Sequence, residues 1–317
     1  MKLIIQIPCL NEAETLPLVF EDLPKSIEGI STIETLVIDD GSTDNTSKIA
    51  KNLGATHIIR NTKNLGLALT FRAGLDYCLK QGADIIVNMD GDNQYKGSEI
   101  SKLIAPILAQ EADAVVGDRQ TDTIASFSPL KKFLQRFGSK IIRRLSRTNI
   151  QDATSGFRAF TREAAIQLTI LSHYTYTLES ILQSHTKGLA ITNVPVSVNP
   201  QTRESRLMDN MRSYVAFSIA TIIRVFTMYN PLRVFVYAGS AFIAVGSVLV
   251  LRFLYYYFAV GGAGKIQSLV IAAICVIVGV TVVLVGFIAD IIQFNRRLLE
   301  DILVRVKRLE IGNRSGD

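Results

Sequence analysis

The sequence predicts an α/β domain on a mostly parallel sheet, followed by two membrane-crossing helices. Three observations predict it. Short apolar runs alternate with helix-length segments over residues 2–119. Four of those runs end in clusters of Asp, Asn, Glu or Arg. Two long stretches near the C-terminus carry almost no charge.

The elements read in order as follows. "KLIIQIP" is a strand and residues 12–29 a helix. "IETLVIDD" is the second strand, and Ser42 is placed to cap a helix running through Ala50. "THIIR" is the third strand, followed by a helix from about Leu65 to Lys80. "ADIIVNMD" is the fourth, with a helix over 98–109, and "ADAVVGDR" the fifth. Buried strands alternating with helices make a parallel sheet. Ligands on such sheets sit at the carboxyl ends of the strands. That is where Pro8, Asn11 and Glu12, then Asp39 and Asp40, then Asp90 and Asp92, then Gly117, Asp118 and Arg119 fall. One polar cluster is a turn; four at successive strand ends describe a crevice.

Beyond residue 120 the pattern loosens. "KKFLQRFGSKIIRRLSR" is a basic amphipathic helix, as is the juxtamembrane stretch 205–231. Two apolar stretches follow, at about 234–258 and 266–289, the first interrupted only by Arg252. About 20 apolar residues span a bilayer core, so residues 232–294 read as a transmembrane hairpin closed by "GGAGK". Arg224 and Arg233 precede it, and Arg296, Arg297, Arg305, Lys307 and Arg308 follow it. Positive residues stay in the cytosol, which places residues 1–204 and both termini there. Arg252 can snorkel to the far interface beside Tyr255–Tyr257. Residues 295–317 read as a cytosolic tail helix, and Gly239, Gly246 and Gly279 as a contact between copies of the chain.

The 317 residues carry a net charge of +6 and a mean hydropathy of +0.28. The basic excess clusters beside the apolar stretches, so nucleic acid is not an expected partner. Cys9, Cys78 and Cys275 are too far apart for a disulfide framework or a zinc site. The N-terminus lacks the long apolar segment of a signal peptide.

Asp90-Gly-Asp92 at a strand end suits a hard cation such as Mg²⁺ or Mn²⁺, which takes one or two carboxylates and fills its shell with water and phosphate oxygens. Alone the pattern is common. Here "IPCLNEAETL", "VIDDGSTDNT", "NLGLALTFRAGLD", "DGDNQ", "VVGDR" and "DATSGFRAF" occur in that order. This ordered set resembles the family 2 glycosyltransferases of GT-A (Rossmann-like) fold, and among them the dolichol- and polyprenyl-phosphate sugar transferases with a two-helix anchor. The resemblance implies inverting transfer of a hexose from a UDP- or GDP-linked donor to polyprenyl phosphate, undecaprenyl phosphate in a bacterium.

The resemblance also implies roles. Pro8, Asn11, Glu12, Asp39, Asp40, Asp90 and Gly91 bind the nucleotide. Asp90, Asp92 and Gln94 hold the metal. Asp152, with Arg158 as its basic partner, joins Asp90 and Asp92 in catalysis. Arg119, Arg203, Ser205 and Arg206 receive the acceptor phosphate. Leu67 and Glu204 depart from the usual residues at their positions. A processive polysaccharide synthase would need more spans and a Q-x-x-R-W element, and this chain has no tryptophan. A non-catalytic, membrane-anchored nucleotide-sugar binder is the other alternative, against which the intact Asp pair argues.

Overall fold

The computed structural model describes residues 1–120, 148–170, 176–200, 230–261 and 266–312, and of the intervening stretches only residues 143, 224 and 227. Two compact units form. One comprises Met1–Val215 with Val304–Asp317, the other Ala216–Leu303.

The first unit is a sheet with helices on both faces. Strands β1 (Lys2–Cys9), β2 (Thr32–Asp39), β3 (His57–Arg60), β4 (Ile85–Asn88), β5 (Ala114–Asp118), β6 (Arg158–Thr161) and β7 (Ile191–Pro195) lie in the order β3-β2-β1-β4-β6-β5-β7. All pairs are parallel except those of β6, which runs antiparallel to both β4 and β5. β6 was not legible as a strand: its four residues, "RAFT", begin with an arginine.

β1 lies inside the sheet, so both its faces are covered and Leu3–Cys9 is apolar at every position but Gln6. Leu3, Ile5, Ile7 and Cys9 enter one core, which α1 (Leu16–Asp22), α2 (Thr46–Asn52) and α4 (Ile100–Leu108) cover. Ile4, Leu36, Ile38 and Ile86 enter the other, beneath α3 (Leu67–Lys80) and α5 (Arg162–Gln167), with Tyr176 of α6 (Tyr176–Thr186). The β1–β4 ladder ends at Gln6 and Asn88. Pro8, which has no N–H to give, lies beyond that last pair. The sheet order reverses at β1, so the crevice opens between the ends of β1 and β4.

Three boundaries differ from expectation. The helix read over 12–29 is only α1, because Pro17 starts it and Leu23, before Pro24, is extended (ψ 138°). Ser42 does not cap α2, whose N-cap is Asn45; its hydroxyl instead accepts from Asn11 N at 2.9 Å. The expected tail helix is not separate. α8 (Ile266–Gly312) runs without a break from the second apolar stretch, and neither proline nor glycine occurs between Gly286 and Gly312 to stop it. Its last residues belong to the first unit, where Val304 and Ile311 pack on the α3/α5 core. There Lys307 Nζ is 2.9 Å from Asp76 Oδ1, and Arg308 pairs with Glu163.

The second unit is a pair of helices, α7 (Pro231–Val260) and the earlier part of α8. Both are long and apolar enough to cross a membrane, and little of their apolar stretches is buried. Gly261, left-handed at φ 80°, closes α7. Gly239 and Gly279 face each other so closely that a methyl on either would lie 2.6 or 2.8 Å from the other's carbonyl oxygen. Gly246 lies against Ala272 and Cys275 in the same way. The three glycines expected to join two copies thus pack this pair together. Within the spans, Ser247 and Thr281 hydroxyls donate to the carbonyls of Ile243 and Ile277. The Arg252 guanidinium lies 6.0 Å over the Tyr256 ring.

The basic helix read over 131–147, most of the juxtamembrane helix 205–231, and Arg203, Ser205 and Arg206 lie outside the described residues.

Candidate active site

Four loops at the strand ends build the site, and each is held by its own side chains. The turn after β2 is stitched by Asp39, which accepts from Ser42 N at 2.7 Å and from the Ser47 hydroxyl. Asp40 accepts from Asn61 Nδ2 (2.8 Å), Leu65 N and Gly66 N (both 2.9 Å). It therefore anchors the loop entering α3. Asn11, left-handed at φ 55°, accepts from Thr43 N at 2.8 Å. Glu12 N donates to Thr46 Oγ1 at 2.9 Å. These residues join the β1 and β2 loops into one wall.

The β4 loop is tied to the same wall. Thr15 Oγ1 lies 2.8 Å from Glu12 Oε2 and 2.7 Å from Gly91 O. Gly91 permits this approach: a methyl there would lie 2.7 Å from Cys9 Sγ, and within 3.4 Å of both Glu12 Cγ and Pro8 O. Pro8 and Glu12 of one motif and Gly91 of another thus meet at one point.

Asp90 and Asp92 flank this glycine. Asp92 Oδ1 accepts from Gln94 N at 3.1 Å in a local turn. Asp90 Oδ1 is buried without a hydrogen-bond partner. Burial, then the Asp92 charge, pushes the Asp90 carboxyl up to about 7, with Arg119 opposing and Glu12 adding. The set fits a divalent cation: a buried, orphaned carboxylate oxygen beside a second carboxylate is what such an ion satisfies. No group of three potential metal-ligating His, Cys, Asp or Glu side chains occurs among the described residues. Two carboxylates are what Mg²⁺ commonly takes from a protein.

The opposite wall is Arg119 and Asp152. Arg119 Nε and Nη2 donate to the two oxygens of Asp152 at 2.6 and 3.0 Å, a forked pair with both side chains buried. Arg119 also donates to Thr154 Oγ1 (2.9 Å) and Gln94 Oε1 (3.4 Å), which links this wall to the Asp90–Asp92 loop. Burial alone would raise the Asp152 carboxyl, but Arg119 outweighs it and holds the carboxyl below the usual range.

Arg158 is not the partner of Asp152. Its guanidinium donates to the carbonyls of Ser155 (2.8 Å), Thr177 (2.7 Å) and Ala153 (2.9 Å), braced from beneath the site. Side chains alternate along a strand, and Arg158 in β6 points to α6. It is fully buried, and that burial lowers its pKa to about 10.

Sequence reasoning missed Gln6, Asn88, Tyr95 and Gly156. Gln6 Nε2 donates to Asn88 Oδ1 at 2.9 Å, and Asn88 Nδ2 donates to Gly156 O at 2.8 Å. The available signal was a lone amide within each apolar run, "KLIIQIP" and "DIIVN": a buried amide needs partners.

The model of "Glycosyl transferase family 2" matches residues 4–169. Glycosyltransferase AglJ of Haloferax volcanii is 29% identical over 309 residues, covering 96% of each chain. Undecaprenyl-phosphate mannosyltransferase of Micrococcus luteus is 27% identical, covering 65% of this chain and 88% of its own. Among solved structures, glucosyl-3-phosphoglycerate synthase of Mycobacterium tuberculosis with Mn²⁺, UDP and glucosyl-3-phosphoglycerate superposes with a TM-score of 0.54 at 20% identity. That match covers 71% of this chain and 79% of the other, and at such identity it shows a shared fold.

Proposed function

The chain belongs to glycosyl transferase family 2, and from that premise we propose that it moves a hexose from a nucleoside-diphosphate sugar to a polyprenyl phosphate. The acceptor class follows relatives such as the Micrococcus luteus mannosyltransferase. The observation that carries the mechanism is the orphaned Asp90 Oδ1 beside Asp92. A buried acceptor without a partner costs about 1–3 kcal/mol, so the fold tolerates it where a ligand completes it. Asp90 and Asp92, with Gln94 adjacent, would hold Mg²⁺ or Mn²⁺. Bound there, the ion supplies positive charge to the departing diphosphate.

The chain's residues do the rest. The Asn11–Glu12 and Asp39–Asp40 wall takes the nucleoside, with its backbone already fixed by internal bonds. Asp152 holds the Arg119 fork at the other wall, so that its positive charge is in place before the anions arrive. Arg203, Ser205 and Arg206 are proposed to meet the lipid phosphate. A phosphate monoester has a second pKa near 6, so the acceptor is already a dianion at neutral pH. It attacks the anomeric carbon in one displacement and inverts it, and no carboxylate has to serve as base. The enzyme's contribution is alignment of two anions.

The two apolar helices are proposed to anchor the chain, with the catalytic unit and both termini on the cytosolic side, where nucleotide sugars are made. The test is purified protein with polyprenyl phosphate and a panel of UDP- and GDP-hexoses, reading lipid-linked product. Product from one donor supports the assignment. No product from any donor, in the presence of Mn²⁺ or Mg²⁺, overturns it.

A further inference from the structure

Gly156 is where the Asp90 carboxylate rests. A methyl group there would lie 2.7 Å from Asp90 Oδ2, 3.0 Å from Asp90 Oδ1 and 2.9 Å from Tyr176 Oη. Since Oδ1 has no hydrogen bond to aim it, this contact sets where the carboxylate sits. The backbone around Gly156 is gripped from both sides. Its N–H donates to Tyr95 Oη at 2.9 Å, and its carbonyl accepts from Asn88 Nδ2 at 2.8 Å. Gln6 fixes the Asn88 amide through Oδ1 (2.9 Å). The Tyr95 ring stacks on Phe157, centroids 5.1 Å apart, which locks the grip in depth. Asn88 and Tyr95 flank Asp90 in the chain and are both buried. The loop bearing Asp90 therefore builds its own backstop out of the 155–157 backbone.

We infer that Asn88, Tyr95 and Gly156 are positioning residues for the divalent cation, fixing the Asp90 carboxylate by holding the backbone it rests on. The inference rests on the cation reading of Asp90 and Asp92 given above. Its test is Mn²⁺ titration of the full-length protein in detergent, with free Mn²⁺ followed by electron paramagnetic resonance and no substrate present. Variants are Asn88→Ala, Tyr95→Phe and Gly156→Ala, with Asp90→Asn as reference. Tyr95→Phe keeps the stacked ring and removes only the oxygen that accepts the Gly156 N–H, so it decides the matter if Gly156→Ala does not fold. Each folded variant is expected to weaken Mn²⁺ binding by about tenfold or more, the usual cost of losing a group that orients a metal ligand. Variants with lowered melting temperature but a Mn²⁺ Kd within about twofold of the parent would show a purely structural role and overturn the inference. A parent that binds Mn²⁺ no better than Asp90→Asn would overturn the cation reading itself, and this inference with it.

Discussion

Replacing Asp90 by Asn should stabilise the metal-free protein, and do so only above a certain pH. The Asp90 carboxyl rises from an ordinary 3.8 to about 7, first through burial and then through the Asp92 charge. Between those values the folded state holds one proton more than the unfolded chain, so stability falls as pH rises through that window. Roughly three pKa units at 1.36 kcal/mol each make the penalty on the order of 4 kcal/mol above pH 7, and nothing below pH 4. Asn cannot ionise and escapes it. For a unit of this size one kcal/mol moves the melting temperature by about 2–4 °C. In EDTA, Asp90→Asn should therefore melt on the order of 10 °C above the parent at pH 8, with the gap closing toward pH 4. The assay is thermal unfolding in detergent across that range. A gap that is flat with pH, or a variant less stable than the parent at pH 8, would refute the reasoning. The same substitution should abolish the gain in melting temperature that Mn²⁺ gives the parent.

Three further outcomes are expected. EDTA should abolish transfer, Mn²⁺ or Mg²⁺ should restore it, and Asp92→Asn should lower turnover by roughly 10²; full activity in EDTA would contradict the proposal. A cysteine at residue 262 should be labelled by an impermeant reagent from outside intact cells while one at residue 315 is not, and the reverse pattern would separate the catalytic unit from its donor. Gly279→Leu should destabilise the helix pair by at least the ~1–3 kcal/mol of an overpacked interior, since a methyl there would already lie 2.6 Å from Ile243 Cγ1. Gly312→Leu, with nothing within 4 Å, is the control and should melt like the parent.

Much of this was legible in the sequence, for physical reasons. The central strands of a parallel sheet are buried on both faces, so β1, β4 and β5 stand out as apolar runs, and the polar residues that end them mark the crevice. Asp90, Asp92 and Glu12 were found that way and do converge. Side-chain pairing was not legible. Asp152 and Arg158 sit in one motif six residues apart, yet Asp152 pairs with Arg119, just past the end of β5. Only the insertion of antiparallel β6 between β4 and β5 brings those two together while turning Arg158 away. Glycine spacing in the spans likewise tells that helices approach closely, but not whether the partner belongs to the same chain. The extent of α8 was hidden because a change from apolar to charged residues looks like a boundary, whereas a helix ends only where backbone chemistry stops it.

The seating of residues 304–312 on α3 and α5 has a consequence in time. Those two helices are translated before their final partner, and the 88 residues Ala216–Leu303 that intervene carry both apolar stretches. While the chain is being synthesised, the face around Asp76 and Glu163 stays unfinished until both stretches have left the ribosome. Val304 and Ile311 then cover it, and Lys307 and Arg308 neutralise Asp76 and Glu163. A catalytic fragment cut at residue 215 would keep every predicted site residue and still lack this last piece. Supplying residues 304–312 as a separate peptide is the direct way to finish it.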